Sequence, residues 1–345
     1  MKNRWFPPEW HDQSAVMLTW PHVHSDWAPI LNEVEPVFTE ISYYVSLHEN
    51  VLIVASSRQH LEHIQQLLAK RGVDPSTVRL YVKMGNDTWA RDHGPITVFE
   101  NQKPILLDFV FNGWGNKFSA ELDNEISRAL LTQDAFGDLE MHSIDFVLEG
   151  GGIETDGDGT LLTTSRCLLA HSRNPALTYS QIEAVLATQL GIERFLWLDH
   201  GALAGDDTDS HIDTLARFCS ADTLCYVSCD DPADEHYSAL QAMAADLAQF
   251  RQANGEPYKL VALPMPNPIY NEDSVRLPGT YANFLIINAA VLVPTYEDEN
   301  DDLALMRLAE CFPEREIIAV NCKPLIEQYG SLHCVTMQIP ANVLT

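Results

Sequence analysis

The sequence predicts an α/β fold built from about five copies of one supersecondary unit, set out as a radial or stacked array and not as a doubly wound sheet. Three observations lead to this. One pattern (strand, tight turn, strand, helix, strand) returns at roughly 60-residue intervals. The turns inside it carry hairpin chemistry, clearest at Asp156-Gly157-Asp158-Gly159. No low-complexity linker interrupts the 345 residues, so residues 1–345 read as a single domain.

The elements follow in order. Ala15-Val16-Met17-Leu18-Thr19-Trp20 is a buried-type strand that ends at Pro21. Residues 27–48 place Ile30, Leu31, Val34, Val37, Phe38, Ile41 and Val45 on one face, the spacing of an amphipathic helix. Strand 51–55 comes next, then a helix over 58–71 with Gly72 suited to its C-terminal stop, then strand 78–82. The second unit shows strands 96–99 and 105–109. The third shows strands 152–154 and 161–164, helix 178–190 and strand 194–198. In the fourth, strands 214–218 and 224–227 precede helix 234–253 and strand 260–263. In the fifth, strands 284–287 and 291–293 precede helix 300–311 and strand 317–320. Gly330-Ser331 then turns into a last alternating strand, Leu332 to Ile339, with Cys334 at its mouth. Pro264-Met265-Pro266-Asn267-Pro268 reads as a rigid exposed loop at the rim of a site.

Lys and Arg number 21 against 49 Asp and Glu, so the formal charge is 21 − 49 = −28. A field of that sign excludes nucleic acid and anionic membrane as partners and favours a small cation. It would also serve solubility alone. Seven cysteines without a Cys-x-x-Cys pair read as reduced thiols; Cys225 and Cys229, four apart, are expected on one packed strand face. Met1 to His11 has no apolar run of a secretion signal, and the longest apolar run, Phe284 to Val293, is broken by Asn288. A cytoplasmic location is therefore expected. No long exposed apolar helix face marks a subunit interface, which leaves a homo-oligomer open.

Four segments carry candidate chemistry. Asp92, in Trp89-Ala90-Arg91-Asp92-His93-Gly94-Pro95, either forms a turn or points into a cleft, where a carboxylate accepts two N–H bonds from a planar cation. Trp89 is either core or an aromatic wall for such a cation. Glu149 ends an apolar strand before Gly150-Gly151-Gly152, glycines that permit close backbone approach. A buried carboxylate needs a partner, and His211 would be oriented and kept protonated by it. His211 and Asp213, two apart on a strand, would share one face; metal binding or a solvated acidic turn is the alternative. Asp206, Asp207 and Asp209 raise calcium, but counting from Asp207 the EF-hand glycine position holds Ile212 and the twelfth holds Phe218. Most cysteines are small core residues. Cys334 differs in lying after Gly330 and beside His333, a placement suited to a nucleophile served by histidine and carboxylates elsewhere in the chain.

Taken together, Asn86 to Pro95, Leu148 to Gly152, Gly205 to Asp213 and Gly330 to Gln338 resemble the agmatine deiminase family, the bacterial branch labelled peptidylarginine-deiminase-like, among the guanidino-group-modifying enzymes. The likeness runs from Pro8-Glu9-Trp10 to the Cys334 strand. It implies a five-bladed α/β propeller of ββαβ units around a central acidic site, in a single catalytic domain. It implies a hydrolase of linear amidines that turns agmatine into N-carbamoylputrescine and ammonia, with no metal or organic cofactor. By motif, Cys334 resembles the nucleophile, His211 the general acid and base, Asp92 and Asp213 the pair that grips the guanidinium, and Glu149 the carboxylate behind the histidine. Trp89 and Asp206 match positions that meet the substrate's chain and distal amine, and Trp114, in Phe111-Asn112-Gly113-Trp114-Gly115, is expected to line the pocket. Ser331-Leu332 departs from a glycine-rich turn in many relatives, which alters loop packing, and the stretch from Tyr270 to Arg276 is short. Two other readings remain. One is a deiminase of arginine, peptidyl arginine or another guanidine, with Arg276 meeting the substrate carboxylate. The other is a non-catalytic propeller that binds polyamines or calcium.

Overall fold

The computed structural model describes residues 4–344; residues 1–3 and 345 of the expected 1–345 span lie outside the described residues. The chain opens with β1 (Arg4–Trp5), β2 (Gln13–Thr19), α1 (Leu31–Ser46), β3 (Asn50–Ala55), α2 (Arg58–Arg71) and β4 (Val78–Val82). Next come β5 (Ile96–Glu100), β6 (Lys103–Val110), α3 (Ile126–Thr132) and β7 (Met141–Val147). β8 (Ile153–Thr155), β9 (Thr160–Thr164), α4 (Tyr179–Leu190) and β10 (Arg194–Leu198) repeat the order. So do β11 (Ala216–Ser220), β12 (Thr223–Val227), α5 (Tyr237–Gln249) and β13 (Lys259–Leu263). Then come β14 (Leu285–Ile286), β15 (Ala290–Thr295), α6 (Asp301–Cys311) and β16 (Glu316–Asn321), and β17 (Thr336–Pro340) ends the series.

The described strands form five separate sheets, a mixed α/β architecture. The sheets share a run of one antiparallel pair followed by a parallel one: β5 with β6 then β7, β8 with β9 then β10, β11 with β12 then β13, and β14 with β15 then β16; β1 adds a further antiparallel edge to β5, and β4 a further parallel one to β3. A helix bridges every parallel pair, as a parallel connection requires. The N-terminal sheet obeys the same rule only because the last strand joins it. β17 runs antiparallel to β2, with Met337 opposite Met17, and β2 runs parallel to β3. The opening unit of the sequence is thus completed by the strand that follows Cys334.

Central strands such as β2, β9 and β15 are buried on both faces; β2 and β15 are mostly apolar, while β9 buries three threonines with its two leucines. Val34, Phe38, Ile41 and Val45 of α1 have no exposed surface; burying each contributes about 1.5–3 kcal/mol. Ser57 accepts the His60 N–H at the start of α2, and Gly72, at φ 91°, ends it in the left-handed region that favours glycine.

Most differences from expectation lie where side chains take over backbone bonding. α1 begins at Leu31 because Ala28–Ile30 form a 3₁₀ turn around Pro29. α5 begins at Tyr237, since Asp234 takes the His236 N–H and holds the preceding turn. The last strand begins at Thr336, not at Leu332. Asn283 Oδ1 takes the N–H groups of His333 and Cys334, which leaves residues 332–335 as a turn. His211 and Asp213 are not on a strand: Ile212–Thr214 form a 3₁₀ turn. Cys225 packs in one apolar cluster and Cys229 in another, so they do not share a face. α3 has no counterpart in the sequence reading, and of β7 only the apolar end before Glu149, at Phe146 and Val147, was expected; His142, Ser143 and Asp145 interrupt the apolar pattern of the rest. Among the described residues no helix is long and apolar enough to cross a membrane.

Candidate active site

The chemistry-bearing side chains occupy one recurrent place in the fold, the turn just before the first strand of a unit. Asp92 lies in the helical turn Ala90–His93 before β5. Glu149 and Gly151 precede β8, His211 and Asp213 precede β11, Asn283 precedes β14, and Cys334 precedes β17. The glycines of the second segment let these turns meet. A Cβ on Gly150 would stand 2.2 Å from the Arg91 carbonyl oxygen. One on Gly151 would stand 2.6 Å from His211 Nδ1 and 2.9 Å from Asp92 Oδ1.

Cys334 is buried, and its Sγ lies 3.4 Å from Asn283 Oδ1 and 3.9 Å from Asp213 Oδ2. Burial, with the Asp213 and Asp92 carboxylates beside it, pushes the thiol well above its ordinary pKa. Asp213 has no exposed surface; Oδ2 accepts from His333 Nδ1 at 2.8 Å, while Oδ1 is buried without a partner. Burial alone would raise its pKa, but the His333 hydrogen bond and charge outweigh burial and hold it below the usual range. Asp92 accepts from Gly151 N at 3.0 Å and from Trp114 Nε1 at 2.9 Å. Burial pushes its carboxyl up to about 6 against the pull of His211.

His211 Nδ1 is 3.6 Å from Asp92 Oδ1, and Nε2 faces Glu149 and Cys167 with no hydrogen bond of its own. Burial pulls the ring toward neutrality, but Asp92, with Cys167 and Glu149 behind, holds its pKa well above the usual value. The expected support from Glu149 is therefore one of charge, not of a hydrogen bond. Both Glu149 oxygens are taken by Arg173 Nε, at 3.0 and 2.9 Å. Arg173 extends to Asp209 Oδ2 and the Thr208 carbonyl, each at 2.7 Å, and so ties Glu149 to the loop before His211.

Above this floor stands a cleft of about 560 Å³. Trp89, Trp114 and Phe118 line it with Asp92, Cys334 and Gly330. Trp89 meets Trp27 and Trp114 with ring centroids 5.6 and 6.4 Å apart. Trp114 is held at φ 55°, ψ 46°, a strained backbone for a large residue, and in exchange its indole N–H reaches Asp92. A Cβ at residue 330 would stand 2.1 Å from Trp89 Cζ3, so the Gly-Ser turn is needed for the wall to close. Asp26, Asp87, Asp206 and Asp207 also line the cleft, and among the described residues no Lys or Arg does. Asp206 braces its own loop through Thr208 and Ser210. Burial, with Asp206 beside it, pushes Asp207 up to about 6.

All eight residues singled out from the sequence lie at this floor, in its cleft walls or directly behind His211. Pro264–Pro268 are not among the lining residues, nor is Arg276, which pairs with Asp234 at 2.7 Å and Glu235 at 3.2 Å. Sequence reasoning missed Asn283, Arg173, Cys167 and the buried charges Glu9, Arg91, Arg217 and His333. Asn283 had a usable signal, since it stands before the first strand of its unit as the others do. Among the described residues two buried trios bring metal-type ligand atoms within 4.8 Å of one another: Glu149, Cys167 and His211, and Glu9, Glu154 and His333. In both, arginine already holds the carboxylates, through Arg173 and Arg217, so a metal cation would have to displace a guanidinium.

Comparison with known proteins agrees with this geometry. The family model for the Porphyromonas-type peptidyl-arginine deiminase matches residues 5–340. A Porphyromonas gingivalis protein provisionally assigned as an arginine deiminase is 48% identical, with a TM-score of 0.93 and coverage of 99% of this chain and 100% of that one. A substrate-bound cysteine-to-serine variant of agmatine deiminase from C. jejuni is 39% identical, with a TM-score of 0.90 and coverage of 97% and 96%. The agmatine deiminase of Stutzerimonas stutzeri is 32% identical over 98% of this chain and 95% of its own length.

Proposed function

The chain belongs to the Porphyromonas-type peptidyl-arginine deiminase family, and from that premise we propose that it is a hydrolase of agmatine, forming N-carbamoylputrescine and ammonia. The observation that carries this reading is the lining of the cleft. It ends on Cys334 beside Asp92 and is walled by Trp89 and Trp114; Asp26, Asp87, Asp206 and Asp207 also line it, and among the described lining residues there is no Lys or Arg to meet a substrate carboxylate. That lining complements a guanidinium joined by an apolar chain to a second positive charge, and it disfavours arginine.

In this reading Asp92 and Asp213 hold the guanidinium in plane above Cys334 Sγ, and Asp213 Oδ1 is the acceptor that waits for it. Such positioning supplies several kcal/mol of the barrier reduction. The cation offsets the two carboxylates that keep the thiol protonated, so binding favours loss of the Sγ proton. Sulfur attacks the central carbon. Attack gives a tetrahedral adduct; His211, protonated in the free site, gives its proton to the leaving nitrogen, the C–N bond breaks, ammonia departs and a thiouronium intermediate remains. The neutral imidazole then takes a proton from water as the water attacks the same carbon. The C–S bond breaks and the ureido product leaves. The steps draw only on side chains, substrate and water. We read residues 1–345 as one catalytic domain, with the five sheets as blades of a five-bladed propeller; the support is that each sheet contributes an entry turn to the floor.

The test is ureido-product and ammonia release from agmatine, arginine and a blocked arginine peptide, with wild type and Cys334→Ala side by side. Agmatine turnover that is lost in Cys334→Ala, with agmatine binding kept, is expected. Preference for arginine or the peptide would overturn the substrate, and undiminished turnover in the variant would overturn the nucleophile.

A further inference from the structure

Beneath Asp213 lies a buried array that the reaction as written does not use. His333 Nδ1 is 2.8 Å from Asp213 Oδ2, and its Nε2 is 2.7 Å from Glu9 Oε2. Glu9 is anchored in turn: Arg217 Nη2 donates to Oε2 at 2.6 Å and Ile286 N to Oε1 at 2.7 Å, with Arg91 Nη2 at 3.9 Å from Oε2. Arg217 also bonds Glu154. All of these residues are buried.

The hydrogen-bond inventory fixes what this array requires. A carboxylate only accepts, and a neutral imidazole has one N–H. Two carboxylate oxygens at hydrogen-bond distance from the two nitrogens of one ring therefore need one proton more than a neutral ring carries. Burial opposes charge on Glu9, but Arg217 and His333 outweigh it and hold its carboxyl far below the usual range. Asp213 is held low as well. Both are committed acceptors, so the extra proton belongs to the ring. Burial, Arg217 and Arg91 together hold the His333 pKa below its usual value against Glu9 and Asp213, so it is the hydrogen-bond geometry, with two acceptors on one ring, that requires the second proton. Only the doubly protonated ring satisfies both contacts.

We infer that His333 is held as an imidazolium between Glu9 and Asp213, and that it is a positioning residue which turns the unpaired Oδ1 of Asp213 toward the substrate guanidinium. The inference rests on the deiminase reading above for what Asp213 does, but not for the state of the ring. The groups facing His333 are Glu9 from the loop after β1, Asp213 from the turn before β11, Arg217 from β11 and Arg91 from the turn before β5, with Glu154 of β8 behind Arg217. The charge works in both directions. It keeps Asp213 ionised at a site with no solvent, and it moderates the negative field that Cys334 feels.

Two measurements test this on the full chain. The first needs no substrate: ¹⁵N spectra of histidine-labelled protein, with His333 assigned by loss of its signals in His333→Gln. Both ring nitrogens protonated at neutral pH is the expected result, and a neutral tautomer would overturn the inference. Glu9→Gln should lower the pH at which that proton is lost; an unmoved titration would overturn the role of Glu9. The second is kinetic. His333→Ala should raise the KM for agmatine by roughly tenfold, the scale of one lost charge-assisted hydrogen bond, with a smaller fall in kcat. His333→Gln, which still donates to Asp213, should recover part of that KM. Equal KM in both variants and wild type would overturn the positioning role. If wild type turns over no guanidine, the deiminase reading fails while the spectra still decide the state of the ring.

Discussion

Asp92 keeps its proton to about pH 6, higher than an exposed aspartate, because burial outweighs the His211 cation beside it. A guanidinium binds the ionised form, so binding and protonation compete. Below about pH 6, kcat/KM for agmatine should fall roughly tenfold per pH unit, and binding there should release a proton. The sign follows from the direction of the shift: a raised carboxyl pKa places protonated, non-binding enzyme in a range where an ordinary aspartate is already charged. Asp92→Asn should lower kcat/KM at every pH and remove this limb. A wild-type profile that stays flat through pH 6 would sink the assignment. The same residue shows what a sequence exposes and what it hides. Asp92, His211 and Asp213 could be singled out because they sit in segments dense in polar residues that begin or end on glycine, and Cys334 because it follows the Gly330-Ser331 turn. His333 adjoins Cys334 in sequence, yet its role depends on Glu9, 324 residues away, and no local pattern reports such a partner.

At the scale of elements, the segment Gly150–Gly152 is where three entry turns touch. The Cβ missing from Gly151 would occupy the space of His211 Nδ1 and Asp92 Oδ1. Gly151→Ala should therefore cost roughly 100-fold or more in kcat, the scale of a misplacement near 1 Å, while the melting temperature changes by only a few degrees. Activity within a factor of a few of wild type would show that the turns have slack. Regular elements were largely legible, since period-2 and period-3.6 patterns mark α1, α2, α4, α6 and the central strands. Two of the entry turns were read as strands. His211-Ile212-Asp213 and Leu332 to Val335 alternate like strands, but the backbone there is bound by Asn283 or folded into a 3₁₀ turn. An alternating pattern cannot distinguish a ladder partner from a side-chain partner 50 residues away.

For the whole molecule, two facts combine. The cleft floor is complete only when β17 pairs with β2, so Cys334, the proposed nucleophile, is placed by a contact between the first and last parts of the chain. The finished molecule carries 21 − 49 = −28 charges, five of them on Asp26, Asp87, Asp92, Asp206 and Asp207 around one cleft when these are ionised. A doubly charged substrate is drawn into such a field before it touches the protein, and salt screens that attraction over about 8–10 Å at moderate ionic strength. In the proposed complex agmatine at buried Cys334 would be out of solvent, and its contacts there would be screened far less. The kcat/KM for agmatine should thus fall several-fold between about 20 and about 500 mM sodium chloride, while kcat stays within a factor of two. Steady-state assays along that series check it. If kcat fell in parallel, salt would be acting on the chemistry or the fold. If neither moved, the acidic balance would serve solubility and not capture of the substrate.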